Sequence, residues 1–154
     1  MYKPGTLLLA VFAVIGVYYS FVTLVAWRRQ RKRYRSSTLT RQMARENIEK
    51  LRVLMDRDAV YRDQDLSLET LAAQLEILPK HLSQIVNEHL QQSFRDFVNG
   101  YRVEEAKRQL REDPQLTVLG IAHQVGFNTN DAFYRAFKKV TGTTPSAYRK
   151  DIES

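Results

Sequence analysis

Asn130, Tyr134, Arg135, Lys138 and Lys139 fall on one side of a predicted helix, and Phe133, Ala136, Phe137 and Val140 fall on the other. Amide, phenol, guanidinium and ammonium groups in that arrangement suit a partner made of base edges and phosphates. A helix is the right body to carry them, because the DNA major groove is about 12 Å wide and admits one. The preceding residues explain how such a helix is held. Ile121, Ala122 and Val125 give a short helix its apolar face, with Thr117 as its N-cap. Gly126 stands where the chain must turn with positive φ, and Phe127 plugs that turn into the core. Thr129, Asn130 and Asp131 offer caps for the helix that follows. Gly142 closes that helix, and Thr144-Pro145 opens a third with proline at its first position. Helix, glycine turn and second helix with a polar, basic outer face predict a helix-turn-helix.

Other groups capable of chemistry do not converge. His81 and His89 are eight residues apart on one predicted helix, with no cysteine and no carboxylate to complete a ligand set. His123 lies on a polar helix face, so surface or capping roles are expected for all three and no metal site. The chain lacks a glycine-rich phosphate loop, a nucleophile elbow and paired carboxylates. No catalysis and no cofactor are expected. Phe127, Phe133, Phe137 and Tyr148 have the spacing of one buried face, which makes them core and not a base-stacking platform.

A second copy of the motif lies upstream. Ser67 caps a helix over Leu68 to Leu75, and a second helix runs from Pro79 to about Leu90. Leu82, Ile85, Val86 and Leu90 face inward there, with Lys80, Ser83, Gln84 and Asn87 outward. The stretch 71–77 aligns with 121–127 at an offset of 50, while Leu82 with Phe133 and Phe97 with Tyr148 align at 51. The repeat predicts tandem units over 67–92 and 117–142. Between them a helix over 93–113 starts at Ser93, with Asp96 three residues on as a capping box, and stops at Asp113-Pro114. It would set the distance and rotation of the two units.

The N-terminal third has a different character. Thr6 to Trp27 is 22 residues without a charge, roughly 30 Å as a helix, which matches a bilayer's hydrocarbon thickness. Residues 28–50 hold nine Lys and Arg against two Glu, whereas 51–154 hold fourteen against fifteen acidic residues. The net +7 therefore sits beside the apolar run, and any DNA surface further on must be a local patch. Arg28, Arg29, Arg31, Lys32, Arg33 and Arg35 follow the run, which the positive-inside rule reads as a C-terminal side in the cytoplasm. The expected layout is an external 1–5, a retained transmembrane helix over 6–27 and a basic juxtamembrane segment over 28–38. A linker helix and connector over 39–66 and the globular domain over 67–152 follow. Lipid would meet residues 6–35, and Gly16 with Ser20 could let two spans approach. From Arg41 to about Asp58, Ala44, Ile48, Leu51 and Met55 form a heptad-like stripe, expected to pack on the domain in preference to pairing with a second copy. Ala59 to Leu66 reads as a polar connector.

The run Gly126-Phe127, Phe133 to Lys139, Gly142, Thr144-Pro145 and Tyr148-Arg149 resembles the signature of the AraC/XylS family of transcription regulators. The similarity covers roughly Asp58 to Ile152. It implies an all-α domain whose two second helices enter successive major grooves about 34 Å apart on one face of the duplex. Carried over by position, the base-reading residues would be Lys80, Ser83 and Gln84 in the first unit. In the second they would be Asn130, Asp131, Ala132, Tyr134 and Arg135. Arg135 can pair with guanine O6 and N7, Gln84 and Asn130 with adenine, and Asp131 with a cytosine amino group, or Asp131 can cap its helix. Lys138, Lys139, Arg149 and Lys150 would hold phosphates.

The first unit departs from the pattern. Glu76 occupies the usual glycine turn, Leu78 the usual serine cap, and Gln91 the glycine that ends the second helix. These changes imply a looser first unit or a different turn. The expected function is a sequence-specific DNA-binding regulator anchored in a bacterial inner membrane. The competing reading is a truncated interaction protein that pairs with a membrane regulator without effective DNA binding of its own. A second copy, a membrane sensor and RNA polymerase are the candidate protein partners.

Overall fold

The computed structural model describes residues 39–152, and every regular element among them is helical. The proposed span over 6–27 and the basic segment over 28–38 lie outside the described residues. Among those described, no helix is long and apolar enough to cross a membrane.

Helix α1 is Arg41–Asp56, started by Thr40, whose hydroxyl accepts from the Met43 N–H at 3.2 Å. Ala44, Leu51 and Met55 are buried as the stripe predicts. The buried line passes through Asn47 rather than Ile48, because the Asn47 amide donates to the Met43 carbonyl at 2.7 Å and so tolerates enclosure. Leu51 and Met55 join the first core with Leu71, Leu82, Val86, Phe97 and Val98, so α1 packs on the domain.

The connector is more built than its polarity suggested. Val60–Arg62 form a 3₁₀ turn, and Tyr61 is buried in the first core, stacked at 5.9 Å on Tyr101. Ala59 enters that turn in the left-handed region at φ 49°.

Helices α2 (Leu68–Gln74) and α3 (Pro79–Gln84, continued by a π turn over Ile85–His89) make the first unit. Ser67 and Thr70 close a reciprocal capping box on α2. Helix α4 (Phe94–Glu112) connects the units, α5 (Val118–Gln124) and α6 (Asn130–Thr141) form the second, and α7 (Pro145–Ile152) follows. Ser93, Thr117 and Thr129 each accept a backbone N–H at their helix starts, as read from the sequence. The box expected at Ser93 is not reciprocal, because the Asp96 carboxylate accepts from the Ser93 hydroxyl at 2.8 Å and from Lys139 instead of the Ser93 backbone.

Helix α4 serves two cores in succession. Phe97 and Val98 belong to the first, and Val103, Ala106 and Leu110 belong to the second with Ile121, Val125, Phe127, Phe133 and Phe137. Glu105 anchors its solvent side. Its carboxylate, with 9% of the side chain exposed, accepts from Arg62 at 2.7 Å, Arg108 at 2.8 Å and Gln109 at 3.0 Å. Hydrogen bonds from Arg108, chiefly, hold its pKa down at about 2 from 4.5. A depressed carboxylate stabilises above its unfolded value and loses that contribution as pH falls toward its folded value. At about 1.4 kcal/mol per pH unit the effect is no more than about 3 kcal/mol, since its partners are half-exposed. The Tm gap between wild type and Glu105→Gln is therefore expected to be widest above pH 5 and to narrow steadily toward pH 3.

Candidate nucleic-acid interface

The second unit presents its reading helix on a sealed base. Phe133 and Phe137 on α6 are fully buried, and Phe127 is 5.2 Å from Phe133 between ring centroids. Gly126 turns the chain at φ 100° and Gly142 ends α6 at φ 78°, both in the region that favours glycine. Thr129 caps α6 by accepting from the Ala132 N–H at 3.3 Å, so Asp131 is not the cap. Asn130, Asp131, Arg135 and Lys138 are exposed, and Ala132 is half-buried among them. No hydrogen bond or ion pair joins the side chain of Arg135 or Lys138 to another of the described residues.

Tyr134 stands differently. It is half-buried, edge-on to Phe133 at 5.9 Å, and its hydroxyl lies 3.4 Å from Ser146 on α7. Lys139 donates to Asp96 at 2.6 Å, a link from α6 to the first turn of α4, and this lysine with Ser93 keeps the Asp96 pKa low. Arg149 is half-buried, with Nε and Nη2 shielded from solvent and without a hydrogen-bond partner. Lys150 is exposed on α7. Val140, expected on the inner face, is 46% exposed, because the last turn of α6 runs past the core.

In the first unit Lys80 is exposed, while Ser83 and Gln84 are half-buried. Ser83 accepts from Asn87 at 3.1 Å, and Gln84 donates to Glu88 at 2.8 Å, so each is already engaged one turn along its own helix. The turn matches that of the second unit despite Glu76. Glu76 adopts φ 56°, and the Ile77 N–H donates to the Ala72 carbonyl at 3.0 Å as Phe127 does to Ala122 at 2.9 Å. A different turn is thus not adopted. The cost appears instead as two non-glycine residues at positive φ, Glu76 and Gln91, each about 1–2 kcal/mol. Leu78 makes no side-chain cap, but Pro79 follows it at the first helical position, where a missing N–H is harmless.

His81 corrects the expectation of a surface role. It is 4% exposed, its Nε2 has no hydrogen-bond partner, and burial, reinforced by Lys80, pushes its pKa down. The signal was available, since His81 sits four residues before buried Ile85 on the same helical line. Among the described residues no group of His, Cys, Asp or Glu could hold a metal ion.

An open cleft of about 720 Å³ separates α6 from the start of α2 and the first turns of α4, with Arg95, Arg102, Arg135 and Lys139 among its lining residues. Arg102 and Asn128 escaped the sequence reading. Arg102 interrupts the line Val98, Arg102, Ala106 at four-residue spacing, a cation on an otherwise buried stripe. Asn128 is the extra residue that moves the repeat offset from 50 to 51.

Two units of this kind on one connecting helix define a tandem helix-turn-helix domain. A family model described as a helix-turn-helix domain matches residues 71–151. The chain belongs to that family, of the AraC type. It is 34% identical over 92 residues to YtdP, an HTH-type transcriptional regulator of Bacillus subtilis, covering 60% of this chain and 12% of that protein. It is 35% identical over 105 residues to the HTH-type transcriptional regulator SAS0078 of Staphylococcus aureus, covering 68% and 14%. The chain thus spans about an eighth of the length of these relatives. Among solved structures it is similar to the C-terminal domain of AraT, a response regulator from Geobacillus stearothermophilus. That match has a TM-score of 0.58 and 30% identity over 70% of this chain and 84% of the other. The DNA-binding domain of AdpA, solved with a target DNA, shares the fold at a TM-score of 0.57 and 21% identity, over 70% and 90%.

Proposed function

We propose that this protein is a sequence-specific transcription regulator that reads DNA from the cytoplasmic face of a bacterial inner membrane. The observation that carries DNA reading is the second unit. Its core is closed, its turn and caps are intact, and Asn130, Asp131, Arg135 and Lys138 stand exposed along α6. Arg135 reads a guanine, Asn130 an adenine, and Asp131 a cytosine amino group. Ala132 allows close approach, and Tyr134 orients its end of the helix through Ser146. Lys138 holds a phosphate, and Lys139, Arg149 and Lys150 extend that contact once Lys139 leaves Asp96. Lys80, Ser83 and Gln84 read the first half-site after giving up their contacts within α3. The preserved turn at Glu76 favours this reading over the interaction protein without DNA binding.

Membrane attachment rests on the uncharged run over 6–27 and the basic cluster that follows it. The full chain in lipid nanodiscs is the material for the test. Selection from a library of random duplexes is expected to enrich a motif with two short half-sites about one helical turn apart. Weak, motif-free binding abolished by moderate salt would remove the reading. Arg135→Ala is expected to lose about 1–3 kcal/mol of discrimination at one base pair while total binding to mismatched duplex stays level. Equal preference of wild type and variant at every position would exclude Arg135 from readout.

A further inference from the structure

We infer that Arg102, together with Asn128 and the connector over 61–64, sets the angle between the two reading helices and thereby the half-site spacing the protein accepts. This rests on the DNA-reading function proposed above. The two cores share no buried residue, so α4 sets their separation along its axis while its side-chain packing ties each unit to a different half. Beside the Lys139–Asp96 pair, a strap across the units adds a second and more enclosed constraint. Arg102 Nε donates to the Tyr61 carbonyl at 2.7 Å and Nη2 to the Asp63 carbonyl at 2.8 Å. The same guanidinium lies 5.4 Å from the centre of the Phe127 ring, in the turn of the second unit. One planar group thereby joins α4, the connector and that turn, a geometry an ammonium does not reproduce.

The contact is close as well as polar. A Cβ at Gly126 would stand 2.6 Å from the Tyr61 oxygen, so connector and turn touch backbone to backbone. Asn128 Nδ2 donates to the Gln64 carbonyl at 3.3 Å. Asn128 is also the residue that the second turn has and the first lacks, and it lies two positions before α6 begins. The inserted residue therefore serves the strap at the entry to the reading helix. Arg102 is a positioning residue, half-buried at the floor between α4, the connector and the second turn, with its guanidinium engaged by the Tyr61 and Asp63 carbonyls.

Changing half-site spacing by one base pair rotates one site by about 34° and moves it about 3.4 Å. Binding of the full chain in nanodiscs is measured on duplexes with the selected half-sites at the preferred spacing and one base pair either side. Wild type is expected to lose roughly tenfold or more off its preferred spacing, and Arg102→Ala less than about threefold, with Arg102→Lys and Asn128→Ala between them. A spacing preference as sharp in Arg102→Ala as in wild type overturns the inference. Should Arg102→Ala fail to fold, Asn128→Ala decides by the same comparison. Should wild type select no paired motif, the functional reading fails and the positioning is judged without DNA. The chain has no cysteine, so spin labels can be placed at Gln74→Cys and Gln124→Cys on exposed sites of α2 and α5. A distance distribution that broadens with Asn128→Ala or Arg102→Ala supports the strap, and an unchanged one overturns it.

Discussion

Gly126→Ala is expected to destabilise the domain by more than about 3 kcal/mol and to remove high-affinity DNA binding. Two independent penalties coincide at this position. Its φ of 100° costs an L-residue about 1–2 kcal/mol. The new methyl would also stand 2.6 Å and 2.9 Å from the Tyr61 and Arg62 carbonyl oxygens, which are backbone and cannot swing aside. The turn must therefore either lift α6 or displace the connector. Glu76→Gly supplies the internal control, because it relieves positive φ at the matching turn and should raise stability by about 1 kcal/mol. Denaturant unfolding of both variants measures the contrast. A loss below about 1 kcal/mol in Gly126→Ala would show that the turn relaxes without moving its neighbours.

Phe133→Ala is expected to have an effect of similar size by a different route. The side chain is fully buried, with ring centroids of Phe127, Phe137 and Tyr134 at 5.2, 5.6 and 5.9 Å. Truncating a buried phenylalanine costs about 3–5 kcal/mol, since the cavity only partly collapses. For a domain of this size the Tm should fall by more than about 10 °C. Because α6 is seated through this residue, binding to the second half-site should be lost before the first. Calorimetry together with half-site binding checks both parts. A variant that melts within about 2 °C of wild type would contradict the seating of α6 on this ring.

Local signals made much of this fold legible. Ser67, Ser93, Thr117 and Thr129 each bond the N–H that their position demands, and Gly126 and Gly142 take the positive φ that their spacing implied. These features depend on a few neighbouring residues, so a sequence pattern carries them. The connector depended on residues far along the chain. Tyr61 is buried in a stretch of polar composition, and its carbonyl finds its partner in Arg102, 41 residues on. The resemblance assigns Lys139 to phosphate, and only the fold shows that Asp96, 43 residues away, also engages it. Ser83 and Gln84 show the reverse case, in which neighbours on the same helix engage groups that composition alone would leave open. The inner surface of α6 was read one residue too far at Val140, where periodicity continues but the core does not.

The division of α4 between two cores has a consequence for hydrogen exchange. A helix within one core opens as a unit, and its amides share one opening free energy. Here the amides around Phe97 and Val98 are protected by the first core and those around Val103 to Leu110 by the second. Each half inherits the opening free energy of its own unit. The first unit carries Glu76 and Gln91 at positive φ and a helix without a side-chain cap, so its half of α4 is the weaker. Protection along this one helix should accordingly step upward near Gly100, so that a single run of amides records which half of the domain opens first.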